Sequence, residues 1–286
     1  MPIRPVQRAA NAIPLLYCDL LQSVLRKRAL KVFLCGQQLD TPFADTRRQL
    51  KWFLQHRFHV EAFLGEDIPE LLAPTITSDH LTIETKAADR ADLIVMFLGS
   101  PGTIAELTSF ALNVGVRPKL LVFNDKKYQG QKTFLNLGPL KLVPAENVVW
   151  ITPPIDKDLV LVLRSIDLAI ARSVFGQHKA SIVGTAVESF EQFLVLSSIY
   201  ANYPISYEPL VRSVPLRPKL VDGALRELFA ARMWKKADGL YWPAKPMEEV
   251  GLPNATVMEI GRLRVQSMSI SLLDEEARAR YRLCAG

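Results

Sequence analysis

Cysteine, histidine and long apolar runs are what this 286-residue chain has least of. Its three cysteines, Cys18, Cys35 and Cys284, lie far apart, and no two have the spacing of a metal site or a redox motif. A reducing, cytoplasmic setting is therefore expected. The four histidines, His56, His59, His80 and His178, make no recognisable ligand set, so no metal is expected. No run of about 18 uncharged apolar residues occurs, which argues against a membrane span. The amino terminus lacks the apolar segment and small-residue cleavage site of a secretory signal. No internal repeat and no low-complexity segment is found.

What is present is a large apolar fraction, 49%, with 22% charged residues, enough for one large domain or two modest ones. The net charge is +6. Residues 1–30 contribute Arg4, Arg8, Arg26, Lys27 and Arg28 against Asp19 alone. Such an excess assists approach to nucleic acid, or it is simply a basic, soluble surface.

The residue pattern predicts an α/β protein with a doubly wound, mainly parallel sheet. An amphipathic arm, residues 1–29, precedes it. Strands are expected at Leu30–Cys35, Val60–Leu64, Leu93–Leu98, Lys119–Phe123 and Asn147–Ile151. Helices are expected between them: one capped by Asp45 or Thr46, one opening at Ser78-Asp79, and one from about Thr103 to Asn113 ended by Gly115. This domain is expected to span 30–153. Pro153-Pro154 opens a helical connector, 154–204, with helices near 156–174 and 180–200. Tyr203-Pro204 marks a second boundary. A winged-helix-like unit, 205–286, is expected, with a helix over 220–233 and a hairpin across Asp238-Gly239.

The segment from Ala91 to Leu107 carries the most chemistry. It reads as a buried strand, a tight Gly99-Ser100-Pro101-Gly102 turn and a helix start, with Glu106 in the first turn. Open α/β sheets bind ligands beyond the carboxyl ends of their strands, and free N–H groups at a helix start favour anions. Ser100, Gly102 and Thr103 are thus candidates to hold ribose or phosphate, with Glu106 aimed at the reacting carbon. Cys35-Gly36 and the Gly65-Glu66-Asp67 turn converge on the same edge, and Glu84 on the preceding helix is expected to face it. Cleaving a sugar–base bond passes through an oxocarbenium-like sugar, which a carboxylate can stabilise or trap. A second acid can orient the sugar or move a proton. Each residue also has an ordinary reading: Glu106 as a complement to the helix dipole, Glu84 as a solvated helix residue, Glu66 and Asp67 as turn formers. Arg47 reads equally as a surface charge, Cys35 as a small buried hydrophobe, Asn136 as a loop amide, and Trp234–Trp242 as core and rim.

Taken in order, Phe33-Leu34-Cys35-Gly36, Arg47 with Gln49-Leu50, Glu66-Asp67, Ser100-Pro101-Gly102 with Glu106-Leu107, and Phe134 with Asn136 and Gly138-Pro139 resemble the nucleoside deoxyribosyltransferase superfamily. They are most similar to the deoxyribosyltransferase-like effectors encoded beside retron reverse transcriptases. The resemblance covers roughly residues 30–150 in specific motifs. It implies that Glu106 is the catalytic glutamate, that Glu84 contacts sugar or base, and that Asn136 helps hold the catalytic groups or ribose. Thr108 follows Glu106-Leu107 where transferases often have a small residue, and Phe33 and Cys35 replace an early-strand tyrosine. Both departures point to hydrolysis rather than transfer.

The resemblance further implies a toxic N-glycosidase of antiphage defence acting on a cellular nucleotide, with NAD as substrate rather than cofactor, and no other cofactor. Its implied partners are the retron reverse transcriptase and msDNA with its non-coding RNA, which hold relatives inactive. A homo-oligomer or higher assembly is left open, and so is whether the winged-helix-like unit meets nucleic acid or protein. Two rivals stand beside this reading: a nucleotide-sensing transcriptional regulator without turnover, and a metabolic nucleoside deoxyribosyltransferase.

Overall fold

A computed structural model of the protein describes residues 29–36, 44–56, 60–68, 80–153, 158–182, 187–250, 252, 257–258 and 260–265. The expected amino-terminal arm, the cap at Ser78-Asp79 and most of the stretch 251–286 of the expected winged-helix-like unit lie outside the described residues. The elements up to Ser173 and those from Val174 onward form two separate compact units.

The first unit is a five-stranded, wholly parallel sheet. Its strands are β1 (Leu30–Cys35), β2 (Val60–Leu64), β3 (Leu93–Phe97), β4 (Leu120–Asp125) and β5 (Val148–Ile151), in the order β2-β1-β3-β4-β5. The helices are α1 (Ala44–Gln55), α2 (His80–Arg90), α3 (Pro101–Leu112) and the single turns α4 (Phe134–Leu137) and α5 (Pro139–Leu142). Parallel strands are joined by crossovers that cover both sheet faces, so the central strands must be apolar throughout. All five residues of β3, Leu-Ile-Val-Met-Phe, are buried.

One face of the sheet presents Phe33, Cys35, Ile94, Met96, Leu120 and Val122 to Leu107, Phe110 and Ala111 of α3. On the sheet, Phe97 and Phe123 stack with ring centroids 4.9 Å apart, and so do Phe33 and Phe63 at 5.0 Å. At the amino edge, the Lys31 N–H donates to Asp92 Oδ2 at 2.9 Å, and the Asp92 N–H donates back to the Lys31 carbonyl at 2.8 Å. This reciprocal clasp ties the start of β1 to the turn before β3.

Several boundaries differ from expectation for local reasons. Helix α1 already begins at Ala44, so Asp45 and Thr46 lie inside it. Helix α3 begins at Pro101, two residues early, because Ser100 caps it and proline suits its first position. It ends at Leu112 with Asn113 as the cap, and the Gly115 N–H donates to Asn113 Oδ1 at 2.9 Å. Strand β4 runs past Phe123 to Asp125.

The second unit contains the end of α6 (Leu159–Ile182), then α7 (Phe190–Asn202), α8 (Tyr207–Ser213), α9 (Pro218–Ala230) and the hairpin β6 (Trp234–Ala237) and β7 (Leu240–Pro243). Helix α7 is buried nearly all round, as a central helix must be. The hairpin turns on Asp238 (φ 53°) and Gly239 (φ 77°), the pair of positive φ values that a two-residue turn matching strand twist requires. Trp234 anchors it, its indole N–H donating to the Leu225 carbonyl of α9 at 2.8 Å. A helix ahead of a hairpin is the order expected for this region. Among the described residues, no helix is long and apolar enough to cross a membrane.

Candidate active site

The carboxyl ends of β1, β2 and β3 lie side by side, and their sequels supply a cluster of four ionisable side chains around one thiol. Cys35 ends β1 and is buried. Its thiol is pushed well above the ordinary range by burial first, then by the negative fields of Glu106 and Glu84, with Arg47 opposing and Glu66 adding. It is a neutral wall, not a nucleophile.

Arg47, on α1, is 3% exposed rather than a surface charge. It forks onto Glu66, with Nη2 donating to Oε1 at 2.7 Å and Nη1 to Oε2 at 3.3 Å. The Arg47 Nε is buried without a partner. Gly36 makes room for this arginine: a Cβ there would fall 2.8 Å from Arg47 Cδ, and its φ of +149° is one that only glycine takes without strain.

Glu106 is half-buried on α3, and its carboxyl is pushed up to about 7. Burial is the main cause, followed by Glu84. Arg47 acts in the opposite sense, and Glu66 adds a little. Glu84 is half-buried on α2, with Oε1 beside Gly65, 3.4 Å from where a Cβ would stand. The cluster therefore holds three glutamates against one guanidinium. At neutral pH Glu106 is poised between acid and base, the condition for proton traffic at a reacting centre.

The helix start differs from expectation. Glu106 lies in the second turn of α3, since no acidic residue occupies the first. Pro101 has no N–H to give, and the Thr103 N–H donates to Ser100 Oγ at 3.3 Å. Thr103 is itself buried, and its hydroxyl donates to the Ser100 carbonyl at 2.9 Å while accepting from the Gly99 and Ser100 N–H groups. The Ser100 and Thr103 side chains hold each other, which leaves exposed Gly102 as the open position of this turn.

Asp67 is engaged as well. Burial alone would raise its carboxyl, but bonds from Lys51 Nζ (2.6 Å) and the Leu64 N–H (2.7 Å) hold it below the usual range. Asn136 is held within its own loop. Its Nδ2 donates to the Tyr128 and Gln131 carbonyls at 2.7 and 2.8 Å, closing the loop between β4 and α4. No group of three or more potential metal ligands occurs among the described residues.

The sequence reading missed Asn124. It is 1% exposed near the end of β4; its Oδ1 accepts from the Asp125 N–H at 2.9 Å, and its Nδ2 has no partner. The signal was available: an amide closing an otherwise apolar Leu-Leu-Val-Phe strand.

Residues 44–228 match the family model described as the STM3845 retron effector protein. The chain belongs to this retron effector family. Two curated Escherichia coli proteins are similar to it. One is a protein of retron Ec86, 34% identical over 115 residues, covering 40% of this chain and 37% of that protein. The other is from retron Ec73, 29% identical over 121 residues, covering 41% and 38%. The names of both ascribe to them ribosyltransferase and DNA-binding roles. The matches span under two-fifths of either relative's length. Within this retron effector, Cys35, Arg47, Glu66, Glu84 and Glu106 meet in one electrostatic cluster, whereas Asp67 and the Ser100–Thr103 pair are bound up in local structure.

Proposed function

We propose that this retron effector is an N-glycosidase that hydrolyses the N-glycosidic bond of a cellular nucleotide, with NAD the leading substrate. The observation that carries the proposal is the position of Glu106: half-buried beyond the carboxyl ends of parallel strands, beside a second carboxylate, with its own carboxyl near neutrality. The ribosyltransferase role ascribed to both relatives supports it.

In this mechanism the C1′–N bond breaks and its electron pair leaves with the base. Ionised Glu106 stabilises or traps the sugar cation at C1′. Water then adds to C1′ and gives its proton to a carboxylate, with Glu84 orienting the sugar or accepting that proton. A nicotinamide ring is cationic in NAD and departs neutral, so it needs no acid. A cluster with an excess of carboxylates favours such a cationic group over a neutral purine. Gly102 gives the substrate close access to backbone, Gly36 makes room for Arg47, and Arg47 fixes Glu66 at the cleft.

In its genetic setting the activity is toxic and halts growth during phage attack, while the retron reverse transcriptase and msDNA hold it in check. The basic charge excess and the unit built around α9 and the hairpin, read as winged-helix-like, would serve those contacts through phosphate rather than base recognition.

The test incubates purified protein with NAD, nucleotides and nucleosides and measures released base beside the Glu106→Gln variant. Release of nicotinamide or another base by the native protein, and its loss in a folded Glu106→Gln protein, is expected. Undiminished release by that variant overturns the assignment. Base exchange between free nucleosides would favour a transferase instead.

A further inference from the structure

One acid of the glutamate cluster belongs to two places at once. Glu66, forked by Arg47 at the edge of the cluster, also lines a groove of about 390 Å³ between α1 and the Gly65–Asp67 turn that follows β2. That volume is within the range of small-molecule sites. In the order β2-β1-β3, the second and third strands lie two steps apart, about 10 Å. The groove therefore starts beside the cluster and extends along α1 as far as Gln55.

Three of its lining side chains are within reach of a ligand. Trp52 is 63% exposed. Its ring lies 4.2 Å from the His56 imidazole one turn on, and His56 Nδ1 bonds to the Trp52 carbonyl at 2.7 Å. An indole held in the open along a groove is a stacking surface for a base. Arg48, one turn before Trp52, is exposed and has no carboxylate partner among the described residues. Lys51, by contrast, is matched by Asp67 at 2.6 Å. The unmatched cation among the groove's lining residues is thus an arginine, whose planar fork fits phosphate. The Glu66 side chain is 31% exposed. Its two oxygens take the Arg47 fork, but a carboxylate has about four acceptor positions, so it retains capacity for hydroxyl donors. An acid in this part of a dinucleotide-binding sheet takes the hydroxyl of a ribose.

A flat ring, a ribose and a phosphate, recognised beside a carboxylate cluster that cleaves a second ribose, describe a dinucleotide. We infer that the substrate is a dinucleotide whose non-reacting nucleotide half lies in this groove, with its base on Trp52, its ribose hydroxyls on Glu66 and its phosphate on Arg48. The inference rests on the glycosidase reading for the reacting half. Binding energy from the remote half is spent at the reacting carbon, so a substrate cut down to one nucleotide loses rate as well as affinity.

Two measurements test it. Adenosine 5′-monophosphate titrated calorimetrically into the Glu106→Gln protein reads the groove without turnover. Trp52→Ala and Arg48→Ala, each added to that protein, are expected to weaken binding about tenfold or more. Binding should also quench a tryptophan emission that Trp52→Phe removes while the heat remains. Both side chains are exposed, so the variants should keep the native circular dichroism. Base release from NAD and from nicotinamide mononucleotide by protein with Glu106 intact then reads the link to the cluster. A preference for NAD of roughly tenfold or more in kcat/KM is expected. Trp52→Ala/Arg48→Ala should erase most of it through a raised KM for NAD. No binding at millimolar adenosine 5′-monophosphate, or binding indifferent to both substitutions, overturns the inference, and so does equal use of the two substrates. Those results leave the glycosidase proposal standing as long as base is released. If no base is released from any substrate, that proposal fails and takes the dinucleotide assignment with it, while binding sensitive to Trp52 and Arg48 still establishes the groove as a nucleotide site.

Discussion

At the scale of single residues, the proposed glycosidase chemistry rests on the pair Glu106 and Glu84. Replacing Glu106 with glutamine is expected to lower base release by about 10²–10⁴-fold, the usual weight of one positioned acid–base group. In the proposed mechanism Glu106 acts as the ionised form, and its carboxyl is pushed up to about 7, so activity should rise with pH through about 7. Glu84→Gln removes a like charge, so the midpoint of that rise should move to lower pH; an unmoved midpoint would separate the two carboxylates. The same shift has a stability consequence of opposite sign. A carboxyl raised on folding binds its proton more tightly in the folded state, so its contribution favours folding below the unfolded value near 4.5. That contribution is lost as pH climbs through about 7. Glu106→Gln should therefore raise Tm more at pH 8 than at pH 5, as thermal melts at the two pH values would show.

Individual elements show what could and could not be read in the sequence. Strand β3 announced itself as a continuous apolar run, and Asp238-Gly239 announced a tight hairpin turn, because both signals are local. The clustering of Glu106, Glu84, Glu66 and Arg47 was legible only in part: strand ends predict an edge, but not which side chains are already committed. Thr103 looked like a free hydroxyl and is bound to Ser100 in the capping box that opens α3. Arg47 looked exposed, and its burial depends on the absence of a side chain at Gly36, a contact eleven residues away in sequence. Two element-scale tests follow. Ser100→Ala should destabilise the protein by about 1 kcal/mol through loss of the α3 cap. Phe110→Ala should cost about 3–5 kcal/mol, because the ring is wholly buried between α3 and the sheet. Chemical denaturation measures both.

For the molecule as a whole, the retron setting predicts a phenotype. Expression of the native chain without its retron partners should arrest growth, and expression of Glu106→Gln should not. Arrest that persists in the variant would place toxicity outside glycosidic cleavage. Plating at matched protein levels reads the difference.

The clasp between Lys31 and Asp92 has a practical meaning. It fastens the point where the polypeptide joins the sheet to the rim opposite the glutamates. A dye attached at exposed Ala29, through a cysteine placed there, thus sits at the back of the layer that carries the glutamates. A reporter on that residue would leave the opposite rim, with Glu106 and Glu84, unobstructed.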